Sequence, residues 1–246
     1  MKNLMRGHIY QLKKDKLFFG YLAFSLIFLA SSLRLTFALA SELTPVTGME
    51  TLMSTFLSGD IVLYAFMLLT ANIITETYRS GVMKNIIGRG IAKKQYFFSI
   101  VLTVSAAYLL TMLVNGMIAG ILAFSKYGMG TISYPAYYAL SIIARALFAL
   151  VYISFAATTT IYTRNTIAGF IFALIIPNIP QILEMAFRVL KIQLNLDFIK
   201  TSTHMPSTYA ASNDLSSFLP CFIVLCGYFI LSVFFGLKIL KQQDIK

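Results

Sequence analysis

The sequence predicts an all-α membrane protein with six transmembrane helices, and three observations lead to this prediction. Of its 246 residues, 58% are hydrophobic and only 12% are charged, and the mean hydropathy is +0.78. Soluble domains usually carry about a quarter charged residues. Several apolar runs also reach the roughly 20 residues that a helix needs to cross a bilayer. No stretch is polar enough for a separate soluble domain, so residues 1–246 are predicted to form a single transmembrane domain.

The first 16 residues predict a short helix that lies on the membrane surface. They contain five cations. Apolar residues recur between Leu4 and Leu12 at a spacing that fits an amphipathic interfacial helix, whose cations would reach the lipid phosphates. His8 belongs to this segment, and we interpret it as a solvated or interfacial residue.

Six spans follow from length and hydropathy. For the first span, a cleavable signal peptide is the competing interpretation, because the ALA sequence at 38–40 resembles a cleavage site. The apolar run from Leu17 to Leu33 exceeds the roughly 7–15 residues usual in such a peptide, which favours a retained span. We predict spans at residues 17–40, 54–74, 96–124, 137–162, 167–190 and 218–240, followed by a tail at 241–246.

The fifth span contains the sequence PNIP at 177–180. Proline removes a backbone donor and bends or ends a helix. The segment 178–195 is therefore either the end of a kinked span or a half-helix that turns back from the outer face.

Six spans place both termini on the same side of the membrane. With both termini in the cytoplasm, the inner segments hold 14 of the 20 Lys and Arg residues and the outer segments hold four. Cytoplasmic loops carry an excess of Lys and Arg, so this bias predicts a multi-pass protein with both termini inside. Topology thus explains the net charge of +11. The sequence shows no basic face interleaved with aromatic residues, so it does not indicate binding to nucleic acid.

The loop between the second and third spans carries most of the remaining chemistry. Residues 74–97 hold one acid, Glu76, together with five cations and three glycines. Gly81 and Gly88 give the backbone freedom to turn. Between them, apolar residues recur at helical spacing from 82 to 87. This pattern predicts a short helix across the membrane face, with some apolar side chains left for a protein partner.

In this loop the chain resembles the membrane subunits of type-2 ABC exporters. Their first cytoplasmic loop typically reads Glu, a few residues, Gly, two residues, Lys, then Gly or Pro, Ser, Arg and an aromatic residue. The matching residues here are Glu76, Gly81, Lys84, Gly90, Lys93 and Tyr96. The six-span layout, the N-terminal helix and the long polar segment before the last span extend the resemblance to the whole chain. Within the family it looks most similar to bacterial permeases of antimicrobial-peptide immunity and amphipathic-toxin export.

The resemblance implies a function and a set of partners. The chain would be a permease subunit of the bacterial cell membrane that pairs with a second, identical or related permease. A separate ATPase subunit would bind ATP and Mg²⁺, with no cofactor in this chain, and the cargo would be an amphipathic or antimicrobial peptide. The sequence departs from the family pattern at Ala92-Lys93, where Ser-Arg is usual, and at Ile100, where Lys is frequent. The residues expected to couple to the ATPase, by resemblance, are Glu76, Arg79, Gly81, Lys84 and Arg89.

Four charged residues lie inside the predicted spans. Arg34 and Asp60 each lie about six residues from the outer face, so we expect them to pair. We expect Arg145 and Glu184 to pair likewise. Pairing would relieve a cost of about 2.5–3.5 kcal/mol for a charge at the bilayer centre. The same four residues are candidates for the translocation pathway.

The sequence lacks the motifs of an enzyme. It contains no G-x-x-x-x-G-K-[ST] phosphate loop, no H-E-x-x-H and no G-x-S-x-G. Two cysteines and two distant histidines do not supply a metal site. His204 lies in the polar segment 200–214, and we interpret it as solvated. We therefore predict neither catalytic residues nor a metal site.

Two rival functions remain open. An ATP-independent secondary transporter would carry its coupling charge near the midplane and often show inverted repeats. A membrane anchor or assembly protein without transport activity would have the same topology, but its loop at 76–90 would tolerate substitution.

Overall fold

The computed structural model describes residues 2–40, 47–57, 60–130, 135–192, 195–201 and 218–242. About 89% of these residues are helical, and none of them lies in a β-strand. The all-α prediction is therefore confirmed. The helices are α1 (Lys2–Lys14), α2 (Lys16–Ala40), α3 (Gly48–Leu57), α4 (Asp60–Arg79), α5 (Val82–Gly88), α6 (Lys93–Tyr127), α7 (Pro135–Thr163), α8 (Thr166–Ile175), α9 (Ile179–Val189) and α10 (Phe218–Gln242).

Six segments of the described chain are long and apolar enough to cross a membrane, as the sequence predicts. The chain is thus a multi-pass membrane protein. The second segment consists of α3 and α4, and the fifth combines α8 and α9. The six segments are Lys16–Leu35, Gly48–Arg79, Lys93–Tyr127, Tyr138–Thr163, Thr166–Val189 and Phe218–Gln242.

The second segment begins six residues earlier than predicted, at Gly48 rather than at residue 54. The reason is a capping box at Thr47 and Glu50. The Glu50 amide donates to Thr47 Oγ1 over 3.3 Å, and the Thr47 amide donates to Glu50 Oε2 over 3.2 Å. These two bonds satisfy amides that a helix start otherwise leaves unpaired, so the helix can begin in the polar stretch.

The ends of four membrane-crossing segments meet at one face, which we call the α5 face. Arg164, which follows α7, lies 5.7 Å from the ring centre of Tyr78 near the end of α4. Lys93 Nζ at the start of α6 donates to the carbonyl of Leu240 near the end of α10, over 2.8 Å. The packing of α1 against α6 brings the N-terminal helix to the same face. The other ends of the spans define the opposite face.

Helix α7 lies at the centre of the bundle. It packs against α4, α6, α8 and α10, and all of its residues from 151 to 161 are buried. Its hydroxyls bond across helices: Thr159 Oγ1 donates to the Gly169 carbonyl over 2.7 Å, and Thr158 Oγ1 to the Ser232 carbonyl over 3.0 Å. Small and hydroxyl side chains allow close helix approach where no hydrophobic effect drives helices together.

Glycines also bring α3 against α6. A Cβ atom built on Gly120 would lie 2.8 Å from Leu52 Cβ, and one built on Gly48 would lie 2.9 Å from Phe124 Cβ. Both distances are too short for real side chains, so only glycine allows this approach. The contact packs Leu52 and Phe56 of α3 against Gly116 and Gly120 of α6.

The fifth segment is interrupted at the predicted prolines. A single 3₁₀ turn at Ile176–Asn178 joins α8 to α9. Asn178 Nδ2 donates to the Leu174 carbonyl over 2.8 Å. The turn 197–201 returns to this point, where Thr201 Oγ1 lies 3.0 Å from Asn178 Oδ1.

Candidate functional site

The α5 segment lies between two glycines with left-handed backbone. Gly81 before the helix has φ +69° and Gly90 after it has φ +78°. Side chains with a Cβ rarely adopt this conformation, so glycine is required at both turns. The sequence pattern predicts the second turn at Gly88 instead of Gly90, but Gly88 is the last residue of the helix. The two turns fold α5 back between α4 and α6.

Helix α5 has a buried side and an exposed side. Met83 is 1% exposed and belongs to the hydrophobic core, while Ile86 and Ile87 pack partly against it. Lys84 and Arg89 are exposed. Such a helix is held firmly from one side and presents cations to a partner on the other.

A groove of about 490 Å³ runs along α5 beside the N-terminal helix. Its walls come from three elements, so the groove depends on how α1, α5 and the start of α6 pack. The lining mixes apolar side chains with two amides and one cation, a composition that suits a protein partner. The lining residues are Leu4, Val82, Asn85, Ile86, Arg89, Ile91 and Gln95.

The remaining predicted coupling residues lie on the same face. Glu76 and Arg79, in the last turn of α4, are both exposed. No ion pair joins these two side chains in the described structure, although the i, i+3 spacing would allow one. Both side chains are therefore available to a partner at the α5 face.

His8 is buried, contrary to the sequence-based expectation that it is solvated. It is 5% exposed, and its Nε2 lies 3.1 Å from Ser99 Oγ of α6. Its ring also meets Tyr96 edge-on, with 5.8 Å between the ring centres. Burial lowers the pKa of His8 below its usual value of 6.5, and the hydrogen bond to Gln11 opposes this shift. The neutral imidazole therefore fastens α1 to α6.

A second polar cluster lies inside the bundle. Arg145 of α7, whose side chain is 0% exposed, forms an ion pair with Asp60 at the start of α4. Arg145 Nη2 also donates to the hydroxyl of Tyr108 on α6. The guanidinium lies 5.7 Å from the ring centre of Phe148. Three membrane-crossing segments are thus tied together by one cation.

Both predicted ion pairs between spans are wrong. Arg34 lies exposed on α2 and forms no ion pair with a described residue, because Asp60 faces α7 and pairs with Arg145. Glu184 on α9 faces the turn 197–201 instead of α7. It forms ion pairs with Lys200 and, over 3.0 Å, with Arg188.

Sequence patterns alone do not identify Tyr108 and Lys200 as members of these clusters. Tyr108 lies in an apolar run and carries no charge, so only its contact with Arg145 reveals its role. Lys200 is one of the four cations in the predicted outer segments, and its ion pairs with Glu184 and Asp197 depend on the return of the chain to α9. His204 lies outside the described residues.

Comparison of the sequence with protein-family models gives no match, and comparison with curated proteins gives no significant match.

Proposed function

We propose that this chain is the membrane-spanning permease subunit of an ATP-driven exporter in a bacterial membrane, with both termini in the cytoplasm. The observation that carries the proposal is α5. It is a seven-residue helix between two left-handed glycines, anchored by Met83 and exposing Lys84 and Arg89. It lies on the same face as α1, which the charge bias assigns to the cytoplasm.

The connections of α5 suit a coupling element. Residues 80–81 link it to α4, and residues 89–92 link it to α6. Both linkers are short, so a partner that displaces α5 also displaces the ends of these two helices. Helices α4 and α6 carry Asp60 and Tyr108, which hold Arg145 of α7. A push at the α5 face would therefore reach the polar cluster through rigid helices.

The partners follow from the resemblance. A separate ATPase subunit would bind ATP and Mg²⁺ and dock against α5 and the adjoining groove. A second permease subunit would complete the pathway across the lipid bilayer. The cargo would be an amphipathic or antimicrobial peptide, moved outward.

Affinity purification of the tagged chain tests the docking surface. The first variant is Lys84→Glu with Arg89→Glu, which reverses two exposed cations on and beside α5. The matched control is Lys126→Glu, because Lys126 is an exposed cation at the far end of α6. We expect an ATPase subunit, identified by its phosphate-loop peptides in mass spectrometry, with the native chain and the control but not with the double variant. Absence of an ATPase from the native sample would overturn the proposal.

The partly buried Asp60–Arg145 pair favours a second candidate, a secondary transporter that works without ATP. Ionisable side chains inside a membrane often serve ion or proton pathways. Proteoliposomes that contain the chain alone distinguish the two functions. Peptide uptake or release driven by an imposed pH gradient, with no ATPase present, would support the second candidate over the first.

A further inference from the structure

An unassigned polar cleft of about 210 Å³ lies among α2, α3, α4 and α6. Most of a membrane protein's interior at this depth is apolar, yet six of the cleft's eleven lining residues carry hydroxyl or amide groups. The polar lining consists of Ser25 and Ser32 of α2, Thr51, Ser54 and Thr55 of α3, and Asn115 of α6.

Asn115 has no partner in the part of the chain that the structure describes. It is 3% exposed and lines the cleft, but its amide forms no hydrogen bond there. A side-chain amide offers two N–H donors and an acceptor oxygen. The amide atoms are not among the fully enclosed polar atoms that lack a partner, so they reach the space of the cleft. An amide in such a position is disfavoured unless something in that space forms hydrogen bonds with it. The amide therefore calls for a hydrogen-bonding occupant of the cleft.

The hydroxyl groups define what that occupant must be. Ser25 Oγ donates to the Leu22 carbonyl over 2.8 Å, and Thr51 Oγ1 donates to the Thr47 carbonyl over 2.9 Å. Because these hydrogens are engaged within the helices, the hydroxyl oxygens offer acceptor lone pairs to the cleft. No charged side chain lines the cleft. The lining thus suits small uncharged molecules that donate hydrogen bonds.

The position of the cleft gives it access to one side of the membrane. Thr51 lies one helical turn after Thr47, near the start of α3, where the Gly48 amide donates to the Gly128 carbonyl over 2.9 Å. At its deeper end the cleft is lined by Met112, one turn after Tyr108 on α6. It therefore extends from near the opposite face to within about one turn of the Arg145 cluster.

We propose that this cleft is a hydrated binding site for small uncharged hydrogen-bond donors, that water occupies it at rest, and that it opens to the opposite face. Its volume far exceeds the roughly 10–15 Å³ of cavity space that one water needs. Several waters fit and satisfy Asn115. This assignment does not depend on an ATPase partner. A failure of the exporter function would therefore leave it unaffected, and the reverse also holds.

Thiol labelling in proteoliposomes tests the site. Cys221→Ala and Cys226→Ala remove the native thiols, and Asn115→Cys or Val114→Cys then adds one. Val114 is the matched control, because it neighbours Asn115 on α6 but is 44% exposed on the outside of the bundle, towards lipid. With an anionic methanethiosulfonate reagent on both sides, we expect Asn115→Cys to react at least about tenfold faster, because a thiol must ionise in water to react. Equal rates, or faster labelling of Val114→Cys, would overturn the proposal.

Two further variants test the site in other ways, because Asn115→Cys itself removes the amide that lines the cleft. Thr55→Cys adds a thiol to the cleft while Asn115 stays in place, and it should also react faster than Val114→Cys. Asn115→Leu should lower the thermal midpoint of unfolding, because it removes the partner of ordered water. A higher midpoint for Asn115→Leu would show that the cleft is dry and the amide merely unpaired.

Discussion

Arg145 of α7 donates a hydrogen bond from Nη1 to Oδ1 of Asp60 on α4, across 85 positions of the chain. The same guanidinium donates to Tyr108 of α6. A charge inside a membrane is costly unless it is paired. The three helices must therefore align so that Arg145 meets Asp60 and Tyr108, which fixes their register.

Asp60→Asn should destabilise the protein more than Arg145→Met. The arginine side chain is 0% exposed and stays protonated, so loss of the carboxylate leaves a buried cation. The aspartate side chain is 23% exposed, so a carboxylate left without the arginine is less deeply buried. We expect a loss of about 3–5 kcal/mol for Asp60→Asn and less for Arg145→Met. Thermal unfolding can be followed with a thiol-reactive dye on buried Cys221 in a Cys226→Ala background.

The double variant and a control complete this experiment. If the two residues pair, the combined change should cost less than the sum of the single changes. Arg34→Met should shift the midpoint little, because Arg34 is exposed and has no ion pair with a described residue. Strict additivity at Asp60 and Arg145 would contradict the pairing.

Gly120→Ala should destabilise the contact between α3 and α6. The new Cβ would lie 2.8 Å from Leu52 Cβ and 3.3 Å from the Gly48 carbonyl oxygen. Overpacking of this kind costs about 1–3 kcal/mol. The control is Gly227→Ala on α10, where a Cβ meets nothing within 4 Å. That change should be neutral or stabilising, because alanine favours helix, and equal midpoints for the two variants would refute the close approach.

Docking of α1 should weaken as the pH falls. Burial lowers the pKa of His8 below 6.5, so the imidazole is neutral while α1 is docked. In the released helix the imidazole takes up a proton as the pH falls through its ordinary pKa of 6.5. The stabilisation is therefore fully present above about pH 6.5 and declines below that value. The chain has no tryptophan, so Tyr10→Trp on the exposed side of α1 provides a single fluorescent reporter.

The matched variant for this measurement is His8→Gln. Glutamine can hydrogen-bond to Ser99 but does not titrate. We expect quenching of the tryptophan fluorescence by a water-soluble quencher to increase as the pH falls from 7 to 5.5 in the native background, which is the ordinary histidine range. With His8→Gln the quenching should stay constant over the same range. The same pH response in both backgrounds would assign the effect to another group.

Gly81→Ala and Gly90→Ala should each disturb α5, whereas Gly88→Ala should not. The first two glycines have φ of +69° and +78°, where an added Cβ costs about 1–2 kcal/mol. Gly88 is helical, and a Cβ there meets nothing within 4 Å. Protease cleavage at Lys84 and Arg89 should speed up for the two strained variants only. If the exporter function is correct, these two variants should also retain less ATPase during purification.

Much of the fold follows from local sequence. Apolar runs of membrane length predict the six spans, and the glycines and apolar spacing of the α5 segment predict a short helix there. Hydropathy alone predicts too late a start for the second span, because it ignores helix capping. The Thr47-x-x-Glu50 pattern was present in the sequence and would have located that start.

The sequence by itself determined the helical class, the number of apolar segments and the polar segment between the second and third, because these depend on residues close together in the chain. Only the tertiary structure decided which charges meet. Depth in the membrane predicts that Arg34 pairs with Asp60 and that Arg145 pairs with Glu184. Depth alone, however, does not determine which way a helix faces. Helix rotation and packing turn Asp60 towards Arg145, Glu184 towards Lys200 and His8 towards Ser99. These contacts join residues far apart in the chain, so their free energy appears only when the helices assemble.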